Sequence, residues 1–311
     1  MAKKATRESY GEALRDLAEK YDFVVLDADL AAATKTSIFK KAYPERFFNT
    51  GIAEGNMIGV AAGIAATGKT VFASTFAMFA AGRAFEQIRN TVCYPKLNVK
   101  VCATHAGITV GEDGATHQCI EDLGLMRNIP GMVVLNPADD VEAKAAVEFC
   151  LNYDGPVYVR FCRLAGEDIF DADTYKFELG KGQVIAEGND VTIITTGIMG
   201  NSALSAAEML KAEGISARVI NMASIKPIDK DIIIKAAKET GAIVTVEDHS
   251  VIGGLGSAVA EVLAENTPAV LRRVGVKDVF GRSGKPDQLF EYYNMTPADI
   301  VASAKDAISM K

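Results

Sequence analysis

Short runs of β-branched and aromatic residues alternate with longer segments of helical periodicity along this 311-residue chain. Neighbouring parallel strands need a long crossover connection, usually an α-helix, so the alternation predicts parallel sheets with helices on both faces. In the first half the predicted strands are Phe23–Asp27, Thr70–Ser74, Val99–Thr104, Met132–Leu135 and Val157–Phe161, and the predicted helices lie near 7–20, 54–67, 79–92, 119–128 and 138–151.

The same alternation starts again after residue 185. Here the predicted strands are Val191–Thr195, Ala217–Asn221, Ala242–Val246 and Val270–Val274, with helices near 201–213, 229–239, 255–265 and 297–309. The segment between the two series is acidic and then glycine-rich, which is typical of a linker. We therefore expect an α/β protein with two doubly wound domains and mainly parallel sheets, at residues 1–165 and 189–311, joined by a linker at 166–188.

Charge and composition narrow the classes of function. The net charge is −7 with both signs interspersed, and the chain lacks the basic block that favours nucleic-acid binding. No apolar run approaches the roughly 20 residues that cross a bilayer, and the N-terminal residues lack the apolar core of a signal peptide. The five cysteines form no C-x-x-C pair, which indicates reduced thiols. We expect a cytoplasmic protein that binds neither nucleic acid nor membrane.

Residues 63–70, Gly-Ile-Ala-Ala-Thr-Gly-Lys-Thr, match the phosphate-binding pattern G-x-x-x-x-G-K-[ST]. That pattern binds phosphate only when a strand leads into the loop and a helix follows it. Here the predicted order is reversed, with a helix before the loop and a strand after it. We interpret Gly68 as a helix stop with Lys69 beside the negative helix end, and expect no nucleotide site.

Two of the three histidines lie in one glycine-rich segment, residues 104–118, between a predicted strand and a predicted helix. Ligands of open α/β sheets bind at the carboxyl ends of strands, so a site is expected here. His105, Asp113 and His117 offer donors and acceptors that could hold several hydroxyl groups. A plain polar surface loop is an alternative, as is a metal site, although no metal spacing is met.

Glu54 is the only charged residue between Asn49 and Gly63, and it lies in the first turn of a predicted helix made of small and apolar residues. A carboxylate there could simply interact with the helix dipole. The apolar composition of this helix predicts that it is buried, however, and a lone carboxylate in a buried helix is costly unless it is paired or used in chemistry. Phe76 and Phe79 follow the next strand and could contact an aromatic ligand, although such pairs are also common in cores.

Taken together, these segments resemble the C-terminal half of transketolase over nearly the whole chain, and the resemblance implies a pyrimidine-binding domain followed by a transketolase C-terminal domain. Each motif alone is weak, but the set comes in the family's order and spacing. The motifs are Ala5-Thr6-Arg7, Asp27-Ala28-Asp29-Leu30, Gly51-Ile52-Ala53-Glu54, Thr75-Phe76-Ala77-Met78-Phe79, Gly-Glu-Asp-Gly-Ala-Thr-His-Gln at 111–118, Lys226-Pro227-Ile228-Asp229, Glu247-Asp248-His249 and Gly253-Gly254-Leu255-Gly256.

The resemblance implies dependence on thiamine diphosphate and Mg²⁺. Glu54 matches the glutamate that hydrogen-bonds the pyrimidine ring and so activates the cofactor, which acts as an electron sink while a C–C bond breaks. Phe76 and Phe79 match aromatics that pack on the pyrimidine, and Asp29 matches a residue near the cofactor. Where many transketolases have a tyrosine three residues past the second phenylalanine, this chain has Gly82.

The resemblance also implies residues that bind the sugar. His105, Asp113 and His117 match residues that contact sugar hydroxyls or the phosphate end. Together with Glu54, the two histidines are the expected catalytic residues.

Arginines are expected at the phosphate of the substrate. Arg7 and Arg163 match arginines that hold a sugar phosphate, where a planar fork suits the oxygens. Arg160 competes with Arg163, because related deoxyxylulose-phosphate synthases carry an arginine at that position. Where many transketolases have a phosphate-binding serine, this chain has Ala33 followed by Thr34.

The chain contains no Gly-Asp-Gly, the family motif that holds the diphosphate through Mg²⁺. We therefore predict no metal ligand in this chain and expect an N-terminal subunit to supply that domain, in an α₂β₂ assembly with a shared active site. The expected reaction is the transfer of a two-carbon ketol unit from a ketose phosphate to an aldose phosphate.

Other functions remain as alternatives. A deoxyxylulose-phosphate synthase-like subunit is disfavoured by His105, because those enzymes tend to have arginine there. A 2-oxo-acid dehydrogenase E1 β-type subunit is not expected to carry the 111–118 motif. A non-catalytic scaffold is a further alternative. We predict no catalytic residue in the second domain, where residues 253–256 offer only a weak anion site.

Overall fold

The computed structural model describes residues 3–311 as two α/β domains, each built on a mainly parallel sheet, which confirms the predicted fold class. The strands are β1 (Lys4–Ala5), β2 (Phe23–Asp27), β3 (Phe47–Asn49), β4 (Thr70–Phe76), β5 (Val99–Thr104), β6 (Val133–Leu135), β7 (Val157–Arg160), β8 (Ala165–Gly166), β9 (Gln183–Ala186), β10 (Val191–Thr195), β11 (Ala217–Asn221), β12 (Ser224–Lys226), β13 (Ala242–Ser250) and β14 (Val270–Val276).

The helices connect these strands and cover both faces of the sheets. They are α1 (Thr6–Leu17), α2 (Ala31–Thr34), α3 (Ser37–Ala42), α4 (Glu54–Ala65), α5 (Phe85–Gln87), α6 (Asp122–Arg127), α7 (Asp140–Asn152), α8 (Met199–Ala212), α9 (Lys230–Thr240), α10 (Leu255–Asn266), α11 (Pro286–Tyr292) and α12 (Pro297–Ser309). The segment predicted as one helix near 79–92 is instead two π-helical stretches, Met78–Arg83 and Ile88–Cys93, on either side of α5.

The first sheet has seven strands in the order β12-β6-β7-β5-β4-β2-β3. All neighbours run parallel except β12, so the carboxyl ends of the other six strands meet at one edge. The strands β2, β4, β5 and β7 are almost entirely buried, as expected for a parallel sheet covered on both faces.

The edge strand β12 comes from the second half of the chain and pairs antiparallel with β6. It was not predicted, because Ser224-Ile225-Lys226 contains a single apolar residue, whereas the equally short β6 is entirely apolar. The Lys226 side chain anchors its end by donating hydrogen bonds to the carbonyl oxygens of Arg127 at 2.8 Å and Ile129 at 2.6 Å. The first sheet is therefore completed by the second half.

The second sheet has five strands in the order β14-β13-β10-β11-β9. The four predicted strands run parallel, and β9 is added antiparallel to β11. Because β9 lies inside the predicted linker at 166–188, the second sheet begins at Gln183 instead of after residue 189. The segment before it is also held, since Asp139 accepts backbone hydrogen bonds from Ile169 and Phe170.

The segment at residues 63–70 has the helix-then-strand order that the sequence predicts. It starts inside α4 and ends at the first residue of β4, and Gly68 has a φ of 94°. Lys69 forms an exposed ion pair with Asp22 at 2.8 Å. No helix N-terminus follows the loop, so the arrangement that binds nucleotide phosphates is not formed. Among the described residues, no helix combines the length and apolar character needed to cross a membrane.

The N-terminus of α10 is capped by a carboxylate of its own domain. Glu247, buried within β13, accepts hydrogen bonds from the backbone N–H of Leu255 at 2.7 Å and of Gly256 at 2.8 Å. A Cβ at Gly254 would lie 2.0 Å from Glu247 Oε2, so the close approach requires glycine. The weak anion site expected at residues 253–256 is therefore wrong, because Glu247 occupies those donors.

We predict that Glu247→Gln lowers the free energy of unfolding by about 1–3 kcal/mol, because an amide NH₂ cannot accept the second backbone hydrogen bond and leaves a buried donor unpaired. Burial raises the pKa of Glu247 to about 7, so ionising this buried group costs stability as the pH rises, and urea unfolding should be measured at pH 5, where that cost is smallest. The control is Glu265→Gln at an exposed position of α10. Equal midpoints for the two variants would contradict this role of Glu247.

Candidate active site

Five strand ends of the first sheet bring the predicted residues to one edge. Asp29 follows β2, Glu54 follows β3, Phe76 ends β4, His105 follows β5 and Arg163 follows β7. These strands are adjacent in the sheet order β7-β5-β4-β2-β3, so residues far apart in sequence become neighbours. The edge is therefore the candidate active site.

Glu54 is the first residue of α4 and is only 5% exposed. Its Oε1 accepts a hydrogen bond from Arg83 Nη1 at 3.1 Å, and among the described residues no hydrogen bond to Oε2 is found. The Arg83 side chain is 56% exposed, so this ion pair borders solvent. The carboxylate thus has one oxygen available and one held by a cation that can move away.

Arg83 also connects Glu54 to a group of aromatic rings. Its guanidinium carbon lies 4.1 Å from the ring centroid of Phe79, within cation–π distance. The Phe79 and Phe76 rings stack with centroids 5.7 Å apart. The imidazole of His105 stacks on Phe76 at 3.9 Å, and that of His117 meets Phe79 edge-on at 5.4 Å. Phe76 and Phe79 therefore form one aromatic wall between Glu54 and the two histidines.

His105 is buried and uses both ring nitrogens within the chain. Arg7 Nη1 lies 3.3 Å from Nε2, and Thr104 Oγ1 lies 2.9 Å from Nδ1. A guanidinium can only donate, so Nε2 is the acceptor and the proton resides on Nδ1. Burial, together with the positive charges of Arg7 and Arg163, lowers the pKa of His105 to about 3. At neutral pH this histidine is uncharged and holds Arg7 in place.

The other polar residues of the 104–118 loop are more accessible. His117 is half-buried and has Thr116 Oγ1 at 2.9 Å from its Nδ1, while Asp113 is exposed. His117 is thus better placed than His105 to exchange a proton with a ligand. The loop is not a plain surface turn, because its central residues 108–111 are buried as a 3₁₀-helix.

Asp29 lies at the same edge in a left-handed conformation with φ 66°. Its carboxylate accepts a hydrogen bond from Asn49 Nδ2 at 2.9 Å, which ties the ends of β2 and β3 together. Two residues earlier, the buried Asp27 accepts hydrogen bonds from Thr34 Oγ1 at 2.7 Å and Thr36 Oγ1 at 2.9 Å. Thr34 therefore points inward and does not replace the phosphate-binding serine.

Arg7 and Arg163 provide positive charge beside the histidines. Arg7 donates to the carbonyl oxygen of Ala33 at 2.9 Å. Arg163 is partly exposed, hydrogen-bonds the carbonyl oxygen of Val110 and lies 3.7 Å from Glu112. Burial lowers the pKa of Arg7, and the charge of Arg163 adds to this effect. Two arginines that interact electrostatically, one of them partly exposed beside the exposed Glu112, suit a dianionic ligand group.

Arg160 does not line this edge, which corrects its prediction as a substrate-binding residue. It is 4% exposed, and its Nε donates to Asp122 Oδ2 at 2.9 Å. Its Nη2 donates to the backbone oxygen of Asp248 at 2.8 Å. The side chain is turned into the interior by a buried carboxylate, so of the two competing arginines only Arg163 reaches the site.

Sequence reasoning missed two further residues. Arg83 lies four residues after Phe79, where a charge in an apolar segment is a signal that could have been used. Asp248 belongs to the Glu247-Asp248-His249 motif, for which the sequence predicts no role, yet it contacts the 104–118 loop from the second domain. Gly82 and Arg83 both line a cavity of about 690 Å³ between the aromatic wall and residues 278–281.

The arrangement is suited to a flat, nitrogen-containing aromatic ligand. A buried carboxylate with a free oxygen can bind a ring nitrogen, and stacked phenyl rings provide a matching flat wall. The histidines and arginines beyond this wall can hold hydroxyl and phosphate groups.

Comparison with known proteins identifies the family. The family models "Transketolase, pyrimidine binding domain" and "Transketolase, C-terminal domain" match residues 2–167 and 180–300. The chain is 46% identical over 306 residues to the 6-deoxy-6-sulfo-D-fructose transketolase subunit SqwH of a Clostridium species, covering 98% of this chain and 95% of that protein. It is 38% identical over 310 residues to the transketolase of Rattus norvegicus, covering 98% of this chain but only 49% of that protein.

A solved structure gives the same result. A split-gene transketolase, described as an inactive β4 tetramer, matches with a TM-score of 0.93 and 56% sequence identity, and the match covers 99% of each chain.

We predict that Arg160→Ala lowers the free energy of unfolding by about 3–5 kcal/mol, because it leaves Asp122 as an uncompensated buried charge. The matched control, Arg163→Ala, removes a partly exposed arginine and should cost about 1 kcal/mol or less. Urea unfolding of the two variants compares them directly. Similar losses for both would contradict the different placement of the two arginines.

Proposed function

Because this chain belongs to the transketolase family, we propose that it is the C-terminal subunit of a two-chain, thiamine-diphosphate-dependent transketolase. In this proposal it transfers a two-carbon ketol unit from a ketose phosphate to an aldose phosphate. The observation that carries the proposal is the buried Glu54 carboxylate, linked through Arg83 to the stacked rings of Phe76 and Phe79.

The residues present fit the pyrimidine end of thiamine diphosphate. Glu54 would hydrogen-bond a pyrimidine nitrogen, and Phe76 and Phe79 would pack against the ring. When bound, the cofactor supplies the electron sink for breaking and forming the C–C bond. Arg83 holds Glu54 Oε1 in the lone chain, and its half-exposed position lets it turn away when the ring enters.

We place the diphosphate and its Mg²⁺ on a partner subunit. The outer face of α4, which starts at Glu54, is unusually suited to close contact with another chain. The exposed residues of α4 are small or uncharged, namely Asn56, Gly59, Val60 and Gly63, and so are Ala66 and Thr67 just after it. Just before this helix, Ile52 is 78% exposed. An N-terminal subunit docked on this face would close the site over Glu54, and an α₂β₂ assembly would contain two such sites.

The substrate is proposed as a class, sugar phosphates, without a named sugar. The relative from Clostridium is named for a sulfonated sugar, so family membership leaves the exact substrate open. In this chain Arg7 and Arg163 would hold the phosphate, and His105, Asp113 and His117 would contact the hydroxyl groups. His117 is the residue we assign to proton exchange, because His105 is neutral and internally bonded.

We also propose a cytoplasmic location. All five cysteines are free, four of them buried and Cys162 half-buried, and unpaired thiols are typical of a reducing compartment. Burial raises the pKa of Cys93 to about 12, which keeps it an unreactive thiol.

We predict that Glu54→Ala lowers kcat by about 10²–10⁴-fold in the enzyme reconstituted with its partner, because the pyrimidine loses its hydrogen-bond partner. Steady-state assays with a ketose phosphate and an aldose phosphate measure this, and Glu86→Ala on exposed α5 is the control. Activity of Glu54→Ala within a few-fold of wild type would refute the assignment. Full activity of the lone chain would refute the shared site.

We predict that Arg163→Ala raises KM for a phosphorylated ketose by about 10–100-fold, as expected for a lost charge-assisted hydrogen bond. KM for the unphosphorylated ketose should stay unchanged. The pair of substrates serves as the internal control. An equal rise for both would show that Arg163 supports the loop and does not bind phosphate.

A further inference from the structure

The 104–118 loop is held by the second domain as well as by its own. The carboxylate of Asp248, near the end of β13, accepts hydrogen bonds from the backbone N–H of Ile108 at 2.8 Å and of Thr109 at 3.4 Å, and from Thr109 Oγ1 at 2.7 Å. Asp248 is 2% exposed, so water does not compete for these bonds. One carboxylate of the second domain therefore caps the start of the 3₁₀-helix that follows His105.

The other end of the loop is tied to the same residue. The backbone oxygen of Asp248 accepts from Arg160 Nη2, which also lies 3.4 Å from the carbonyl oxygen of Cys119. Arg160 is held in place because its Nε donates a hydrogen bond to Asp122 Oδ2. Arg160 does not line the candidate site, but it links the end of the loop to the strand that carries Asp248.

The middle of the loop also contacts the second domain. Gln118 Nε2 donates to the carbonyl oxygen of Arg282 at 2.9 Å, and Ser283 Oγ donates to the carbonyl oxygen of Glu112 at 2.7 Å. These contacts lie on both sides of Asp113. The second domain therefore bounds the loop along its length.

The Asp248 carboxylate reaches the loop because of local backbone geometry. Gly107 has a φ of 77°, and a Cβ there would lie 2.1 Å from Asp248 Oδ2. His105 itself has a φ of 56°, an uncommon conformation for a residue with a side chain. Such conformations persist only where the surroundings hold them. Releasing the 108–109 backbone would let residues 105–107 relax.

We propose that Asp248 is a positioning residue, through which the C-terminal domain sets the geometry of His105 and His117 for the sugar. The sugar-binding part rests on the proposed function, whereas the hold on the loop does not. Asp248 touches no reacting atom and acts only through the loop backbone. The second domain then contributes to the active site by positioning the loop that carries the two histidines.

The first experiment needs neither cofactor, substrate nor partner. Hydrogen–deuterium exchange of the full chain, read by mass spectrometry, should show exchange in peptides covering residues 104–118 about tenfold faster or more in Asp248→Asn, because the amide cannot accept all three hydrogen bonds. Thr109→Val keeps both backbone donors and removes the hydroxyl donor, so a smaller acceleration in the same peptides is expected. This milder variant carries the test if Asp248→Asn fails to fold.

The matched control is Glu247→Gln, one residue away on the same strand. It disturbs α10 but makes no bond to the loop, so exchange should rise near residues 255–260 and not in 104–118. If exchange of the loop is accelerated equally in Glu247→Gln, the effect of Asp248→Asn reflects a general loss of stability, and the proposal is overturned. Unchanged loop exchange in Asp248→Asn and Thr109→Val would overturn it as well.

A second readout uses the fact that the chain has only three histidines. With ¹³Cε1-labelled histidine, three resonances are expected, assigned by His105→Asn and His117→Asn. Burial and the charges of Arg7, Arg163 and His117 keep His105 neutral, and Thr104 contacts its Nδ1. In Asp248→Asn its resonance should shift and its pKa should rise from about 3, whereas in Glu247→Gln both should match wild type. An unmoved His105 resonance in Asp248→Asn contradicts the proposal.

The last measurement uses the reconstituted enzyme. KM for the sugar phosphate should rise about tenfold in Asp248→Asn, while the Kd of thiamine diphosphate changes less, because Glu54 makes no hydrogen bond to the 104–118 loop and only the His105 and His117 rings join that loop to the aromatic wall. A loosened loop with unchanged KM would refute the link to the sugar. If the wild-type complex has no transketolase activity, the proposed function fails, and the exchange and histidine results still decide the positioning role.

Discussion

The parallel pairing of the first sheet is the constraint on which the site depends. A parallel sheet sends all its carboxyl ends to one edge, and here five adjacent strands end there with Asp29, Glu54, Phe76, His105 and Arg163. Strand pairing, and not closeness in sequence, brings these five residues together. The register of the sheet places the strand ends side by side, and the loops that follow orient each side chain toward the common cleft.

Two arginine–carboxylate pairs show how burial separates a fixed ion pair from one that can open. The Arg160–Asp122 pair has side chains at most 5% exposed, and breaking it would strand a charge in the interior. The Arg83–Glu54 pair is half in water on the arginine side, and such pairs contribute little stability. The first pair is fixed, and the second can open when a better partner for Glu54 arrives. Distance alone, 2.9 Å against 3.1 Å, would not distinguish them.

Much of the fold and part of the site could be predicted from sequence. The long strands were found because β-branched runs are a local signal, and Glu54 was found because a lone charge on an apolar helix is locally anomalous. The direction in which Arg160 points could not be predicted, because its partner Asp122 is 38 residues away. The role of Asp248 depends on a contact across 140 residues. The strands β9 and β12 form by antiparallel pairing with β11 and β6, which lie far from them in sequence, and apolar spacing alone does not distinguish a six-residue π-helical stretch from an α-helix.

The position of β12 limits where this chain could be divided. Since the outermost strand of the first sheet is contributed by residues 224–226, a polypeptide ending in the linker would leave the open edge of β6 exposed. Open edges with unpaired backbone groups invite pairing with other molecules. The first half expressed without residues 224–226 would therefore be prone to associate with other molecules through the unpaired edge of β6.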